Sequence, residues 1–552
     1  MKVTTLCLAL GLAWLSAISN GAPAAMAQVI DTADGPTSPA DEKEADAADD
    51  SAGADEESSA TESEAGEADD AAEKSPAAAP EPEPKVEAAV VKISVTSRAP
   101  DFFRPWTKAS PAKSSGSGVV IAGPRILTNA HVVMHASEVF VQLSSGGDQH
   151  TAKVTAIAPG MDLAIVELVD PSGLDGITPL SLATELPHPK SPISVYGYPT
   201  GGDDLSVTAG TVSRIEFTGY NFGAWGTRVQ VDAALNPGNS GGPAIQDGKI
   251  AGLVFSKIQE ADNIGYLIPP EEIESFLRDA GDGKYDGNPQ MFDSYQTAEN
   301  DALRAFLDMP KEMTGIVIAE PYKDDDDYPL KRWDVITHVG PHAIDNQGYV
   351  EVRDGLRLKF QYYVPKLANN GKIELTVVRD GKSHVVQVPV SPDRELLIPT
   401  LKDQYPEYFI YGPVVFEPVT QEYVRGLGGQ GVSMLMALDS PILKRLYESP
   451  EEPGEELVVV ATRLFPHPIT KGYDNRPLGV IKSVNGVEIK NLRQLGELLR
   501  DSKDEFLRFE MADRNESLVF RRDEIAAATE QILVDEGIRY QASDKFRDLW
   551  ED

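Results

Sequence analysis

The stretch Asn236-Pro237-Gly238-Asn239-Ser240-Gly241-Gly242-Pro243 lies between two strand-like runs, Arg228-Val229-Gln230-Val231 and Ala251-Gly252-Leu253-Val254-Phe255. Its glycines mark a tight turn that can aim consecutive backbone N–H groups at one point, because only Gly tolerates the dihedrals and the close approach this needs. Working outward, the same texture continues. Gly118-Val119-Val120-Ile121, Ile126-Leu127-Thr128, Val139-Phe140-Val141, Ala164-Ile165-Val166 and Ile193-Ser194-Val195-Tyr196 are short β-branched runs broken by Gly, Pro and Asn. Strands at this spacing, with no long helical period between Ala88 and Pro269, predict an antiparallel sandwich or barrel. A helix over Pro270 to Asp279, with Pro and Glu in its first turn, closes the unit.

Two α+β units follow. The first, residues 288–396, contains Thr314-Gly315-Ile316-Val317-Ile318, then Asp334-Val335-Ile336 and a hairpin turning at Asp380-Gly381. The second, residues 397–522, contains Tyr411-Gly412-Pro413-Val414-Val415-Phe416, Val458-Val459-Val460 and a helix capped by Asn491 with Gln494 three residues on. Residues 523–552 read as a short, partly helical tail.

The first 87 residues are of another kind. Lys2, the apolar run Leu6 to Ile18 and Ala25-Met26-Ala27 form the n-region, h-region and cleavage site of a signal peptide over residues 1–27, with an uncleaved N-terminal anchor as the alternative. Residues 28–87 have no aromatic residue and almost no branched apolar ones, so they cannot bury enough surface to offset ordering entropy and read as a disordered acidic tether. Of 552 residues, 87 are Asp or Glu and 50 are Lys or Arg, a formal charge of -37 that argues against nucleic-acid or anionic-membrane binding. The single cysteine, Cys7, lies in the signal stretch, which excludes disulfides, thiolate metal sites and cysteine nucleophiles from the processed chain. These features predict an exported protein, periplasmic or extracellular, with no stable membrane span after processing.

Three segments carry chemistry. Thr128-Asn129-Ala130-His131 places an imidazole after a strand, Met161-Asp162-Leu163-Ala164 places a carboxylate at a strand start, and Ser240 stands in the glycine turn. A serine hydroxyl is a poor nucleophile, and it needs a base to take its proton and a third group to orient that base. His131, Asp162 and Ser240 supply those types, and the Gly238 and Ser240 amides, with Asn239 between them, would form an oxyanion hole.

Residues 88–282 resemble the trypsin-like domain of the HtrA/Deg serine proteases, and the two later units resemble the PDZ domains that follow it. The matching segments are Gly116-Ser117-Gly118-Val119-Val120-Ile121, Thr128 to Val133, Asp162-Leu163-Ala164, Gly197-Tyr198-Pro199, Val207 to Ile215, Asn236 to Pro243 and Asn263 to Pro269. Gly201-Gly202-Asp203, Ser213-Arg214-Ile215-Glu216 and Tyr408-Phe409-Ile410-Tyr411-Gly412 resemble the branch known from plants and some bacteria. The resemblance implies a mainly β fold: a chymotrypsin-like double β-barrel followed by two α+β PDZ-like domains. It implies His131 as general base, Asp162 as its orienter, Ser240 as nucleophile, and a homo-oligomer built from trimers. The loop Phe217 to Gly226 corresponds to the family's activation-sensing loop, and its aromatics are equally readable as packing.

In such folds the residue six before the nucleophile floors the specificity pocket. Here it is Ala234, so no acid would neutralise a buried Lys or Arg, and a small or medium apolar side chain is expected at the cleaved position. Leu235 with Leu253, Val254 and Phe255 would help line this pocket, the alternative being plain barrel core. Peptide C-termini or apolar segments are expected at the first PDZ-like unit, with Thr314-Gly315-Ile316 as its carboxylate loop. In the second unit Pro413 lacks an N–H, so an assembly role is the alternative to ligand capture.

No cofactor is expected. Asp324 to Asp327 cannot all face one ion, and Lys284 stands among the would-be ligands of the loop Asp282 to Gly287. No P-loop, dinucleotide or zinc signature occurs. The expected function is ATP-independent cleavage of unfolded or damaged proteins, with an inert peptide-binding chaperone or scaffold as the alternative.

Overall fold

The computed structural model describes residues 85–143, 147–257, 265–473, 478–513 and 517–550. The signal-like start, most of the acidic tether, and Asn263 and Ile264 lie outside these residues. Strands β1 (Val90–Ser97), β2 (Ala112–Ile121), β3 (Arg125–Thr128), β4 (Ala136–Gln142), β5 (Gln149–Ala158) and β6 (Leu163–Leu168) close into a barrel in the order β1-β2-β3-β6-β5-β4. A second barrel uses β7 (Pro192–Gly197), β8 (Ser206–Gly219), β9 (Trp225–Val231), β10 (Pro243–Gln246), β11 (Lys249–Lys257) and β12 (Gly265–Ile268). Read from β7, its order is β7-β8-β9-β12-β11-β10, the connectivity of the first barrel repeated. Closure leaves neither sheet with an exposed edge, so each barrel can be small and still pair its backbone groups.

The barrel interiors are mainly β-branched and leucine side chains. Ile93, Val119, Ile126, Leu127, Val141, Leu163 and Val166 are fully or nearly fully buried in the first. Val195, Val229, Val231, Ala244 and Leu267 fill the second. The helix Pro270–Asp279 lies where the sequence predicts it, burying Ile273 and Phe276 against the first cluster.

The first α+β unit adds β13 (Ser294–Thr297), β14 (Ile316–Glu320), β15 (Val335–Val339), β16 (His342–Ala343), β17 (Tyr349–Arg353), β18 (Leu356–Lys359), β19 (Lys372–Arg379) and β20 (Lys382–Pro389). Its main sheet runs β13-β14-β15-β19-β20. The β17–β18 hairpin docks on the second barrel: Leu356, Leu358 and Tyr362 join that barrel's apolar cluster, and Arg353 donates to the carbonyls of Leu186 and Pro187 at 2.9 and 2.8 Å.

The second unit holds β21 (Phe409–Tyr411), β22 (Val414–Pro418), β23 (Val458–Val460), β24 (Ile481–Val484), β25 (Val487–Glu488), β26 (Phe506–Met511) and β27 (Ser517–Arg521). The Asn491 side chain accepts the Gln494 N–H at 2.9 Å, and the helix Leu492–Asp501 buries Leu492, Leu495 and Leu499. A cap of this kind contributes about 1 kcal/mol.

The expected tail is instead structural. Residues Arg522–Asp535 form a helix that buries Ile525 and Ile532, Ala542 bridges to Phe409, and Phe546 and Leu549 enter the unit's core. The helix has little amphipathic period in sequence because alanines and a threonine occupy part of its inner face, which hides it from a pattern based on large apolar side chains.

Candidate active site

The first barrel brings His131 and Asp162 together. After β3 the chain makes one helical turn, Ala130–Val133, that buries Val132 and Val133 and leaves the His131 side chain 44% exposed. Asp162 sits in the turn before β6 with φ 56, a left-handed conformation uncommon outside Gly. Its carboxylate is 1% exposed and is used at both oxygens: Oδ1 accepts the His131 backbone N–H at 2.8 Å, and Oδ2 lies 2.7 Å from His131 Nδ1. Asn129 Nδ2 donates to the Asp162 carbonyl at 2.9 Å and fixes the turn from below.

A carboxylate only accepts, so the imidazole proton sits on Nδ1 and Nε2 keeps its lone pair. Burial opposes the charged imidazolium, but the charge of Asp162 and its hydrogen bond outweigh this and hold His131 above the ordinary histidine value.

The serine turn belongs to the second barrel yet is anchored on the first. Ser117 N–H donates to the Ser240 carbonyl at 2.8 Å. A side chain on Gly116 would lie 2.8 Å from the Val132 methyls and 3.3 Å from the Ser240 carbonyl oxygen, so the absence of one lets Ser240 approach the helix that carries His131. Gly241 has φ +81, and a Cβ there would stand 2.2 Å from the Ser117 carbonyl and 2.3 Å from Thr128 Oγ1. Any other residue would push the turn off the barrel. Among the described residues the amides of Gly238 and Ser240 have no acceptor, whereas Asn239 N–H is taken by the Asn236 carbonyl at 3.1 Å. The two free amides can grip an oxyanion; Asn239 contributes the spacing between them and no donor of its own.

Ser117, within the Gly116-Ser117-Gly118 motif, also shapes the site. Fully buried, its hydroxyl accepts the Tyr198 N–H at 2.8 Å and donates to the Gly238 carbonyl at 2.8 Å, fixing the peptide plane between Gly238 and Asn239. Ser117→Ala removes both bonds and leaves the buried Gly238 carbonyl without its hydroxyl donor, at a cost of about 1–3 kcal/mol. Loss of an oxyanion donor costs about 10²–10³ in turnover, so loosening one at a distance is expected to lower kcat by about tenfold with KM little changed. Steady-state kinetics on a peptide substrate and a thermal melt check both effects.

The expected pocket is only partly assembled. Ala234 is exposed and Leu235 is buried. Leu253, Val254 and Phe255 are all buried, but neighbouring strand positions face opposite sides. Leu253 and Phe255 join the cluster between the barrels, with the Phe255 ring 5.1 Å from Tyr220, while Val254 joins Leu235 inside the second barrel. Leu253 and Phe255 are therefore core, and only Val254 can share a wall with Leu235.

The Thr314-Gly315-Ile316 assignment also changes. β14 is paired on both edges, Thr297 opposite Ile316 on one side and Ile336 opposite Ile316 on the other, so no edge is free there for an added strand. Sequence pattern cannot show this, because pairing partners lie far apart in the chain. The end strands of the sheet are β13 and β20.

The loop Phe217 to Gly226 is a β8–β9 hairpin whose tip reaches the first barrel: Asn221 N–H donates to the Gly160 carbonyl at 3.0 Å, two residues before Asp162. Tyr220 is 5% exposed and packs in the core, whereas Trp225 is 43% exposed and stacks on Phe217.

A model of the trypsin-like peptidase domain matches residues 116–253, and a PDZ domain model matches residues 398–545. Protease Do-like 4, mitochondrial, of Arabidopsis thaliana is 39% identical over 440 residues, which cover 78% of this chain and 80% of that one. The chain belongs to the Do-like, or HtrA, serine proteases. This protease is a serine endopeptidase with PDZ architecture on its C-terminal side. Protease Do-like 2, chloroplastic, of Arabidopsis thaliana is also similar, 33% identical over 460 residues covering 82% of this protease and 74% of the relative. Among solved structures, the HtrA-type protease AlgW with a tripeptide is 24% identical with a TM-score of 0.44, covering 56% of this protease and 95% of that chain.

Proposed function

We propose that this protease cleaves unfolded or damaged polypeptides without ATP, by acyl transfer from a peptide carbonyl to Ser240. The observation that carries this reading is the two-point hold of Asp162 on His131, beside a serine turn whose flanking amides are free. Nε2 of His131 would take the Ser240 proton as the hydroxyl attacks, and Asp162 would stabilise the imidazolium that forms. The Gly238 and Ser240 amides would hold the tetrahedral oxyanion, and His131 would then protonate the leaving amine. Water would release the acyl group by the same steps.

Among the described residues Ser240 Oγ has no hydrogen bond to the imidazole, a looseness common in unliganded sites that tightens when substrate binds. Ala234 favours small or medium apolar residues at the cleaved position. The signal-like start supports export to the periplasm or beyond, and the family supports a trimer-based oligomer. A recruited peptide would pair with β13, one of the sheet's two end strands and the one next to β14.

A fluorophosphonate probe is expected to label Ser240 in the purified chain, which should also degrade a denatured protein without nucleotide. A chain that neither reacts nor cleaves would be the inert scaffold instead.

A further inference from the structure

The one-turn helix that carries His131 is held by carboxylates at both ends. At its start Asp162 accepts the His131 N–H at 2.8 Å. At its end Met134 N–H bonds back to the Ala130 carbonyl at 2.8 Å, and His135 then turns into left-handed backbone with φ 54. The His135 N–H goes to Asp403 Oδ1 at 2.7 Å, across a sequence separation of 268 residues.

Asp403 lies at the start of the second PDZ-like unit, ahead of β21. Its turn is closed by Gln404 N–H to the Leu401 carbonyl at 3.0 Å. Leu401 N–H donates to Glu422 Oε2 at 2.9 Å, which ties the turn to the helix Gln421–Gly426 of the second unit. The contact is part of a ring of bonds: Arg98 N–H donates to the His135 carbonyl at 3.0 Å, and Tyr405 OH donates to the Arg98 carbonyl at 2.7 Å. The Tyr405 ring stands 5.5 Å from the His135 imidazole, and Lys108 Nζ lies 4.1 Å from the Tyr405 centroid.

We infer that Asp403 is a positioning residue for His131, through which the placement of the second PDZ-like unit sets the active-site helix. A single helical turn does not hold itself, because nucleation fixes several dihedrals for one hydrogen bond. Its orientation comes from what grips its ends: Asp162 at the start, and at the far end the Arg98 amide on the His135 carbonyl together with Asp403, the one of these three that lies outside the protease domain. The inference rests on the reading of His131 as the general base.

The test compares the full-length chain with Asp403→Ala and Asp403→Asn on a short peptide substrate. Misplacing a reacting group by 1 Å can cost about 10²-fold, so freeing one end of the helix is expected to lower kcat by about tenfold with KM changed by less than about twofold. Asparagine keeps an oxygen that accepts the His135 N–H, so Asp403→Asn should hold kcat within about twofold of wild type. If Asp403→Ala fails to fold in a thermal melt, Tyr405→Phe replaces it: the ring stays, the bond to Arg98 goes, and kcat should fall by about threefold. An active wild type with unchanged kcat in the variant tested, or with Asp403→Asn falling as far as Asp403→Ala, overturns this inference alone. An inert wild type overturns the protease reading and this inference with it.

Discussion

Replacing Ser240 by alanine is expected to lower turnover of a denatured protein by about 10⁶ and to abolish labelling by a fluorophosphonate. The size follows from what the hydroxyl alone can do. The free amides of Gly238 and Ser240 survive the substitution, since they belong to the backbone, and so does the Asp162 hold on His131. What disappears is the atom that forms the acyl bond, so only the binding and oxyanion contributions remain, a residual about 10³–10⁴ above water. Ser240 is only partly buried and among the described residues its hydroxyl holds no hydrogen bond, so the melting temperature should barely move. Equal degradation by wild type and variant would show that the hydroxyl takes no part.

The second large effect is at Asp162. Asp162→Asn keeps the shape of the site and an oxygen for one of its two bonds, but its amide can present N–H to Nδ1 and so hold the imidazole in the wrong tautomer. A loss of about 10⁴ in kcat is expected. The pH profile supplies an independent check. The base works only when neutral, so activity is lost as pH falls through the His131 pKa; with Asp162 present, the acid limb of kcat/KM lies above the ordinary histidine value. Removing the carboxylate charge takes away the contributions that raised it, so the residual activity of Asp162→Asn should extend to lower pH than that of wild type. A limb that stays in place would mean that Asp162 does not set the ionisation of His131.

Much of this site is legible in the chain because its chemistry is local. The glycines around Ser240 announce a turn whatever surrounds it, and Gly116 and Gly241 leave space that any side chain would close. The helices starting at Pro270 and after Asn491 carry their own start signals and form where those signals place them. The misreadings share one cause. Thr314-Gly315-Ile316 has the composition of a recognition loop, but whether its strand keeps a free edge depends on β13, which arrives from elsewhere. Leu253 and Phe255 have the composition of a pocket wall, and the strand turns them toward the inter-barrel core.

The sequence by itself determined the chemical repertoire: an imidazole, a carboxylate and a hydroxyl in one β-rich unit, with glycines where amides must be bare and no cysteine beyond Cys7. Residue identity and local backbone preference are encoded within a few positions, so they can be read without a partner. Only the tertiary structure decided that the Ser240 turn is pinned by Ser117, that Asp162 grips both the amide and the ring of His131, and that Asp403 reaches the far end of the same helix. Such contacts depend on where distant segments come to rest, which is set by the packing of whole barrels and modules against one another.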